Sequence, residues 1–200
     1  MDSTVYLDRL LARYSGTFDI YKPYNIHGEG YPAYGYFFSC IEKYVLTREA
    51  NLWTSKSYEH VLFLKESQCT GDIVAKAEAL IKNYMEPELV RKGGKVPDAN
   101  HMYSFLTVSV ICDHKPDKAA IKRIKKFRFE KGYRFNIRGY SQGHLAVVSM
   151  DDESIYTNYT GRKSHKLYQD VFSDVKEGKI GLDALLAQQG ETVFIQESSS

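Results

Sequence analysis

The chain has 200 residues, with 27 Lys and Arg against 25 Asp and Glu for a net charge of +2, and it is 43% hydrophobic and 26% charged. These proportions are ordinary for a soluble globular protein, and no run approaches the ~18 apolar residues that a membrane-spanning helix needs. A chain of this length buries roughly 70% of the surface its unfolded form exposes, so it needs no covalent staples.

The 16 Tyr and 10 Phe against one Trp favour pleated, half-buried surfaces and hence much β-structure. Cys40, Cys69 and Cys112 are dispersed, with no CxxC, which argues against a disulfide framework or a zinc knuckle. Their expected state is buried free thiols in a reducing compartment. The opening MDSTVYLDRLLARY places Asp2, Asp8 and Arg9 where a signal peptide needs an apolar stretch, so a cytoplasmic location is expected. The sequon at Asn158–Thr160 carries no weight in that compartment.

Leu7, Leu10, Leu11 and Tyr14 follow the helical repeat, Asp2 or Ser3 can cap them, and Gly16 stops the helix. TFDIY predicts a short strand, KPYNIHGEGYP a loop, and AYGYFFSCIE, KYVLTRE and SYEHVLFLK further strands. A second helix begins near Asp72, with Ile73, Ala77, Leu80, Ile81 and Tyr84 as its stripe and Pro87 just past its end. After the loop RKGGKVPDAN, MYSFLTVSVICD alternates, with Leu106, Val108, Val110 and Cys112 on one face. Pro116–Asp117 open a third helix that runs to about Lys126, with Ile121 and Ile124 inward.

The strands GYRFNIRG and GHLAVVSM follow, then a turn at DDES into IYTNY. A fourth helix spans about Ser164 to Lys176, with Leu167, Val171 and Val175 inward, and a fifth spans Leu182 to Gln189. TVFIQ adds an edge strand, and 197–200 is a disordered tail. Runs of strands outnumber strand–helix–strand alternations. The expected fold is therefore a single α+β domain over 1–196, a mostly antiparallel sheet with helices packed on one side. A faint echo of helix, FDI and a hairpin in helix, FNI and a hairpin allows an internal αβββ pseudo-repeat.

Several motifs fail. Gly93–Lys95 lacks the upstream glycine and the Ser or Thr of a phosphate loop, and Gly28–Gly30 is half a dinucleotide fingerprint. Asp151–Glu153 reads as a hairpin turn ahead of a cation site. No cofactor or metal site is expected.

Glu59 and His60, with His101 at the head of a later strand, form the one carboxylate–imidazole set worth testing as a hydrolase or nuclease-like centre. Strand alternation opposes it. Extended backbone sends Glu59 with Val61 and Phe63 to one face, and His60 with Leu62 and Leu64 to the other. The competing reading is a strand-end histidine with a satisfied ring.

The strongest signal is electrostatic. Lys115 to Arg138 carries ten basic side chains against two acids, a net +8, which leaves −6 for the remainder. Lys118, Lys122 and Lys125 share a helical stripe opposite Ile121 and Ile124. If the following segment is extended, Phe127, Phe129, Tyr133, Phe135 and Ile137 face inward and Arg128, Arg134 and Arg138 outward. With Arg123 these residues would form one basic surface over 118–138 for a polyanion such as nucleic acid, or for an acidic protein. The competing readings are a solvated charged face and pairing with the chain's own acidic surface in a homo-oligomer.

The stretches FDIY, EKYVLTREANLW, YEHVLF, HMYSFLTVSVICD and FRFEKGYRFNIRGYSQGHLAVVSMDDESIYTN resemble an uncharacterised bacterial family, a domain of unknown function. The resemblance covers about Phe18 to Thr160. It implies one bacterial cytoplasmic domain and supplies no catalytic residues. The reading that follows is a non-catalytic binding module.

Overall fold

The computed structural model describes residues 1–43 and 53–189. Residues 44–52, which hold most of KYVLTRE and EKYVLTREANLW, lie outside those residues, as do TVFIQ and the tail. The chain opens with α1 (Ser3–Ser15), then β1 (Asp19–Tyr21), β2 (Tyr24–Ile26), β3 (Glu29–Tyr31), β4 (Ala33–Lys43) and β5 (Trp53–Gln68). Next comes α2 (Gly71–Ala79), which continues as a π-helix over Leu80–Val90, and then β6 (His101–His114). α3 (Lys118–Lys126), β7 (Glu130–Gly132), β8 (Tyr140–Ser149) and β9 (Ser154–Thr157) follow, then a 3₁₀ turn at Thr160–Ser164, α4 (His165–Lys176) and α5 (Leu182–Gln189).

Seven strands form one mixed sheet in the order β1-β4-β5-β6-β8-β7, with β9 also on β8, and β2–β3 make a separate hairpin. The fold is α+β. Its centre departs from an antiparallel arrangement, because β5–β6 and β6–β8 pair parallel. Parallel neighbours need a long crossover, and α2 with its π extension and α3 supply the two crossovers. Both step across the sheet in the same direction. The fixed hand of such crossovers then puts both helices on one face.

That face packs Leu62, Leu64, Leu106, Val108, Val110, Leu145 and Val147 under Val74, Ile81 and Ile124. The opposite face packs Val61, Phe63, Ile111, Ala146 and Val148 against Leu10 and Leu11 of α1, Phe172 of α4 and Leu182 of α5. Helices thus cover both faces, where one was expected. The central strands are apolar on both sides, and each side has to be shielded from water.

Local chemistry explains the helix starts. The Asp2 carboxylate accepts from the Thr4 and Val5 amides, Thr70 Oγ1 accepts from Ile73 N–H, and Asp117 accepts from Ala120 N–H at 2.6 Å. Pro87 lies inside the π-helix, where a stop just before it was predicted. A π turn is wider than an α turn, which relieves the clash between the proline ring and the preceding turn.

GYRFNIRG is not a strand. Arg134, Phe135 and Asn136 all have positive φ, between 48° and 66°. Tyr133 N–H donates to Gly139 O at 2.9 Å and Arg138 N–H to Tyr133 O at 3.1 Å, closing a loop between β7 and β8. Phe135 is 100% exposed and Ile137 81%, so the alternation read from these residues does not bury them. Gly139 has φ +71° and passes so close to Met102 O that an added Cβ would lie 2.1 Å from it. The FNI half of the proposed echo is therefore a left-handed loop, whereas Asp19 and Ile20 of FDI enter an edge strand.

The cysteines also differ from expectation. Cys69 and Cys112 are buried, but Cys40 is exposed. Cys112 lies beside the Cys69 thiol, which together with burial pushes its own thiol pKa up. No helix among the described residues is long and apolar enough to cross a membrane.

One buried carboxylate ties the two ends of the chain. Asp174 of α4 accepts from Arg9 Nε at 3.0 Å, from Arg13 Nε, and from Lys179 Nζ at 2.7 Å, with its own side chain 1% exposed. The Arg13 guanidinium, followed by Lys179 and Arg9, holds this carboxyl well below the usual range. Asp174→Ala should cost about 2–4 kcal/mol in urea unfolding, because it leaves three cations around an uncharged site. A loss below ~0.5 kcal/mol would show that the cluster is too well hydrated to matter.

Candidate functional site

The basic segment divides into two places. α3 buries Ala120 and Ile124 and turns Lys118, Lys122, Arg123, Lys125 and Lys126 outward. Between α3 and α2 lies an open groove of about 610 Å³, lined by Lys82, Lys122, Arg123, Lys126, Phe127 and Arg128, with the acids Asp72 and Glu78. Arg123 makes a bidentate pair with Glu78 at 2.8 and 3.0 Å, and Lys82 reaches the same carboxylate at 3.7 Å. Among the described residues, Lys118, Lys122, Lys125, Lys126 and Arg128 form no ion pair.

Arg128 instead donates to the Lys125 and Phe127 carbonyls, and its guanidinium lies 5.7 Å from the Tyr159 ring centroid. Arg162 lies 5.2 Å from the same ring, which is 63% exposed. Arg134 and Arg138 sit in the β7–β8 loop; neither lines the α3 groove, and Arg138 lines a separate recess with His101 and Met102. They do not join the α3 surface. Lys82, Tyr159 and Arg162 were missed by sequence reasoning, because they come from separate elements and only the fold sets them beside Arg128.

Glu59, His60 and His101 do not converge. β5 is extended through Tyr58, so Glu59 lies on the face of Val61 and Phe63, and His60 on the face of Leu62. Burial raises the Glu59 pKa, and Lys163 opposes the rise. The Lys163 ammonium also acts on buried His144 of β8, whose Nδ1 meets Thr107 Oγ1 at 3.4 Å and whose Nε2 meets Gln142 Oε1 at 3.1 Å.

His101 does share a face with His60. A register shift sets Lys56 opposite His101 and Ser57 opposite Tyr103, so Met102 is an extra residue that turns His101 toward Tyr58. Both its nitrogens are taken. Nδ1–H donates to the Arg138 carbonyl at 2.9 Å, and Nε2 accepts from Ser104 Oγ at 2.8 Å. It is a satisfied histidine, as the competing reading had it for His60.

His60 is the exception. Its Nδ1 meets the Tyr34 hydroxyl at 2.6 Å, but its Nε2 is buried without a partner among the described residues. The ring is 3% exposed and borders a recess of about 360 Å³ walled by Tyr21, Tyr24, Tyr34, Tyr36 and Tyr58. The register sets Tyr36 opposite His60 and Tyr34 on the diagonal, and β1 adds Tyr21 opposite Tyr34. The alternating Tyr34 and Tyr36 of AYGYFF were the available signal. Their pairing with Tyr58 and His60 depends on a register that a sequence does not display. Among the described residues, no group of three His, Cys, Asp or Glu side chains is placed to hold a metal ion. Asp151 and Asp152 instead accept from Ser149, Ser154 and Tyr156 within their turn.

Burial, with a smaller contribution from His101, lowers the His60 pKa to about 4, and burial with Lys163 lowers that of His144 to about 4. An unfolded histidine titrates near ~6.5, so the unfolded chain binds more protons between these values. This part of the stability is complete above about pH 6.5 and is lost as pH falls toward 4. His144→Gln removes one such group. Measured by urea unfolding, its stability relative to the parent should improve by about 2 kcal/mol between pH 7 and pH 5. A gap that stays constant with pH would show that His144 is not held neutral by burial.

The model of a family described as Domain of unknown function (DUF8052) matches residues 2–170. The match extends past the Phe18–Thr160 stretch of the sequence resemblance at both ends. No curated protein and no solved structure matches the chain.

Proposed function

For a chain that belongs to the DUF8052 family of domains of unknown function, we propose a binding module whose α2–α3 groove takes the phosphates of a single-stranded nucleic acid. Lys122 and Lys126 supply charge with no ion-pair partner among the described residues, and Lys118 and Lys125 extend it along the helix. Such cations bind phosphates largely by releasing condensed counterions.

The observation that carries the choice of nucleic acid over an acidic protein is Tyr159. An exposed ring flanked by the Arg128 and Arg162 guanidiniums, beside the groove, is a platform on which a base can stack. Arg134 and Arg138 have no part in this surface. The groove spans less of the chain than 118–138 and draws on α2 and the π-helix, while Arg162 of the 3₁₀ turn reaches the Tyr159 ring beside it.

The test is fluorescence anisotropy with labelled, mixed-sequence single-stranded RNA and DNA. With about four phosphates neutralised, affinity should fall about 50-fold between 50 and 200 mM salt. Lys122→Glu/Lys126→Glu should weaken binding further and flatten the salt slope. Tyr159→Ala should cost about tenfold at any salt concentration. Binding that ignores salt, or none at 50 mM, would overturn the proposal. An unchanged affinity for Tyr159→Ala would remove base stacking from it.

A further inference from the structure

The tyrosine-walled recess lies toward the C-terminal end of the α2–π helix, where Leu89 lines it, about 10 Å of helix beyond Lys82 of the basic groove. It does not depend on the nucleic-acid reading. Three features define what could occupy it. The first is the wall. The Tyr24 and Tyr34 rings stack with centroids 4.5 Å apart, and Tyr36 tilts against the His60 ring at 5.5 Å. Such faces favour a flat, conjugated guest in an offset stack. At about 360 Å³ the space is near the lower end of the ~300–1,000 Å³ range of small-molecule pockets. It admits a ring and its substituents, not a nucleotide.

The second feature is the deep polar atom. Tyr34 is buried, and its hydroxyl has no other hydrogen-bond partner than His60 Nδ1 among the described residues. If the phenol donates to Nδ1, both groups are satisfied and the ring proton sits on Nε2. The reverse arrangement would leave the phenol proton and the Nε2 lone pair both unused in the interior, which is the costlier state. Nε2–H is therefore a buried donor without an acceptor among the described residues; it lies behind the tyrosine wall, and a guest reaches it as a wall ring turns aside.

The third is the mouth. Lys92 borders the recess, and its charge acts on the Tyr36 and Tyr58 phenols. Its 2.8 Å pair with Asp98 is exposed on both sides, the kind of contact that exchanges readily. An ammonium there repels a cationic guest, which an aromatic cage would otherwise suit.

We propose that this recess binds a small aromatic carboxylate with a second oxygen at its far end. The ring lies among the tyrosines, the far oxygen accepts from His60 Nε2–H, and the carboxylate meets Lys92 at the mouth.

The experiment uses the full chain labelled with ¹⁵N-histidine, titrated with 4-hydroxybenzoate, benzoate and 4-hydroxybenzamide while the His60 Nε2 resonance is followed by NMR. Before addition the resonance should be that of a protonated Nε2. 4-Hydroxybenzoate should shift it saturably, and benzoate, which lacks the far oxygen, should bind about tenfold more weakly. Lys92→Gln should weaken 4-hydroxybenzoate about tenfold and leave 4-hydroxybenzamide unchanged. Tyr34→Phe should release the tautomer and lower the protonated fraction at Nε2. No His60 shift with any of the three would overturn the proposal. So would equal affinities for the acid and the amide in both proteins, or a bound water on Nε2 that no probe displaces.

Discussion

The parallel ladder through β5, β6 and β8 is the constraint on which the rest of the structure depends. It aligns Leu62 with Val108 and Val108 with Leu145, and it makes the sheet apolar on both sides at its centre. A parallel pair cannot be closed by a hairpin, so the chain between the strands must cross over one face. Those crossovers are α2 with its π extension and α3. The groove exists because two successive crossovers of one hand lie side by side. The far face is then left to α1, α4 and α5, of which the Asp174 cluster draws α1 and α4 together across more than 160 residues of chain.

The same ladder decides the fate of each ionisable side chain in the sheet. Glu59 and His60 are neighbours in sequence, yet the sheet lies between their side chains. His60 has His101 and the tyrosines for company, whereas Glu59 shares the field of Lys163 with His144. His101 would have faced the other way without the extra residue at Met102. Three histidines in one sheet thus differ in state. His101 is satisfied at both nitrogens, His144 has partners within its own face, and His60 keeps one nitrogen unpaired among the described residues.

The two candidate surfaces rest on different physics. The groove is open and charged, and its cations keep most of their water, so what it offers is long-range attraction and counterion release. The tyrosine recess is small and its deepest donor is desolvated. Leaving a buried N–H unpaired costs about 1–3 kcal/mol, which the fold supplies from elsewhere and a fitting acceptor would recover. The π-helix joins the two, because its C-terminal turn carries Leu89 to the recess while its first turn carries Lys82 to the groove beside Glu78 of α2.

The sequence by itself determined the periodic elements. The stripes of α1, α2 and α4, the caps at Asp2 and Asp117, the alternation of β6 and the α+β class all follow from local spacing, as does the separation of Glu59 from His60; α3 buries Ile124 as expected but Ala120 in place of Ile121. It also marked α3 as a basic helix with an apolar back. Only the tertiary structure decided what spacing does not encode. The parallel pairing set the helices on both faces. The left-handed turn at Arg134–Asn136 detached two arginines from the surface they were expected to complete. Cross-strand register gathered four tyrosines from β1, β4 and β5 around His60, and the β2–β3 hairpin added Tyr24. Hydrophobic period reports which way a side chain points relative to its own backbone. Which other strand it then meets is fixed by long-range pairing and by the shared burial of both sheet faces, and these are properties of the whole chain.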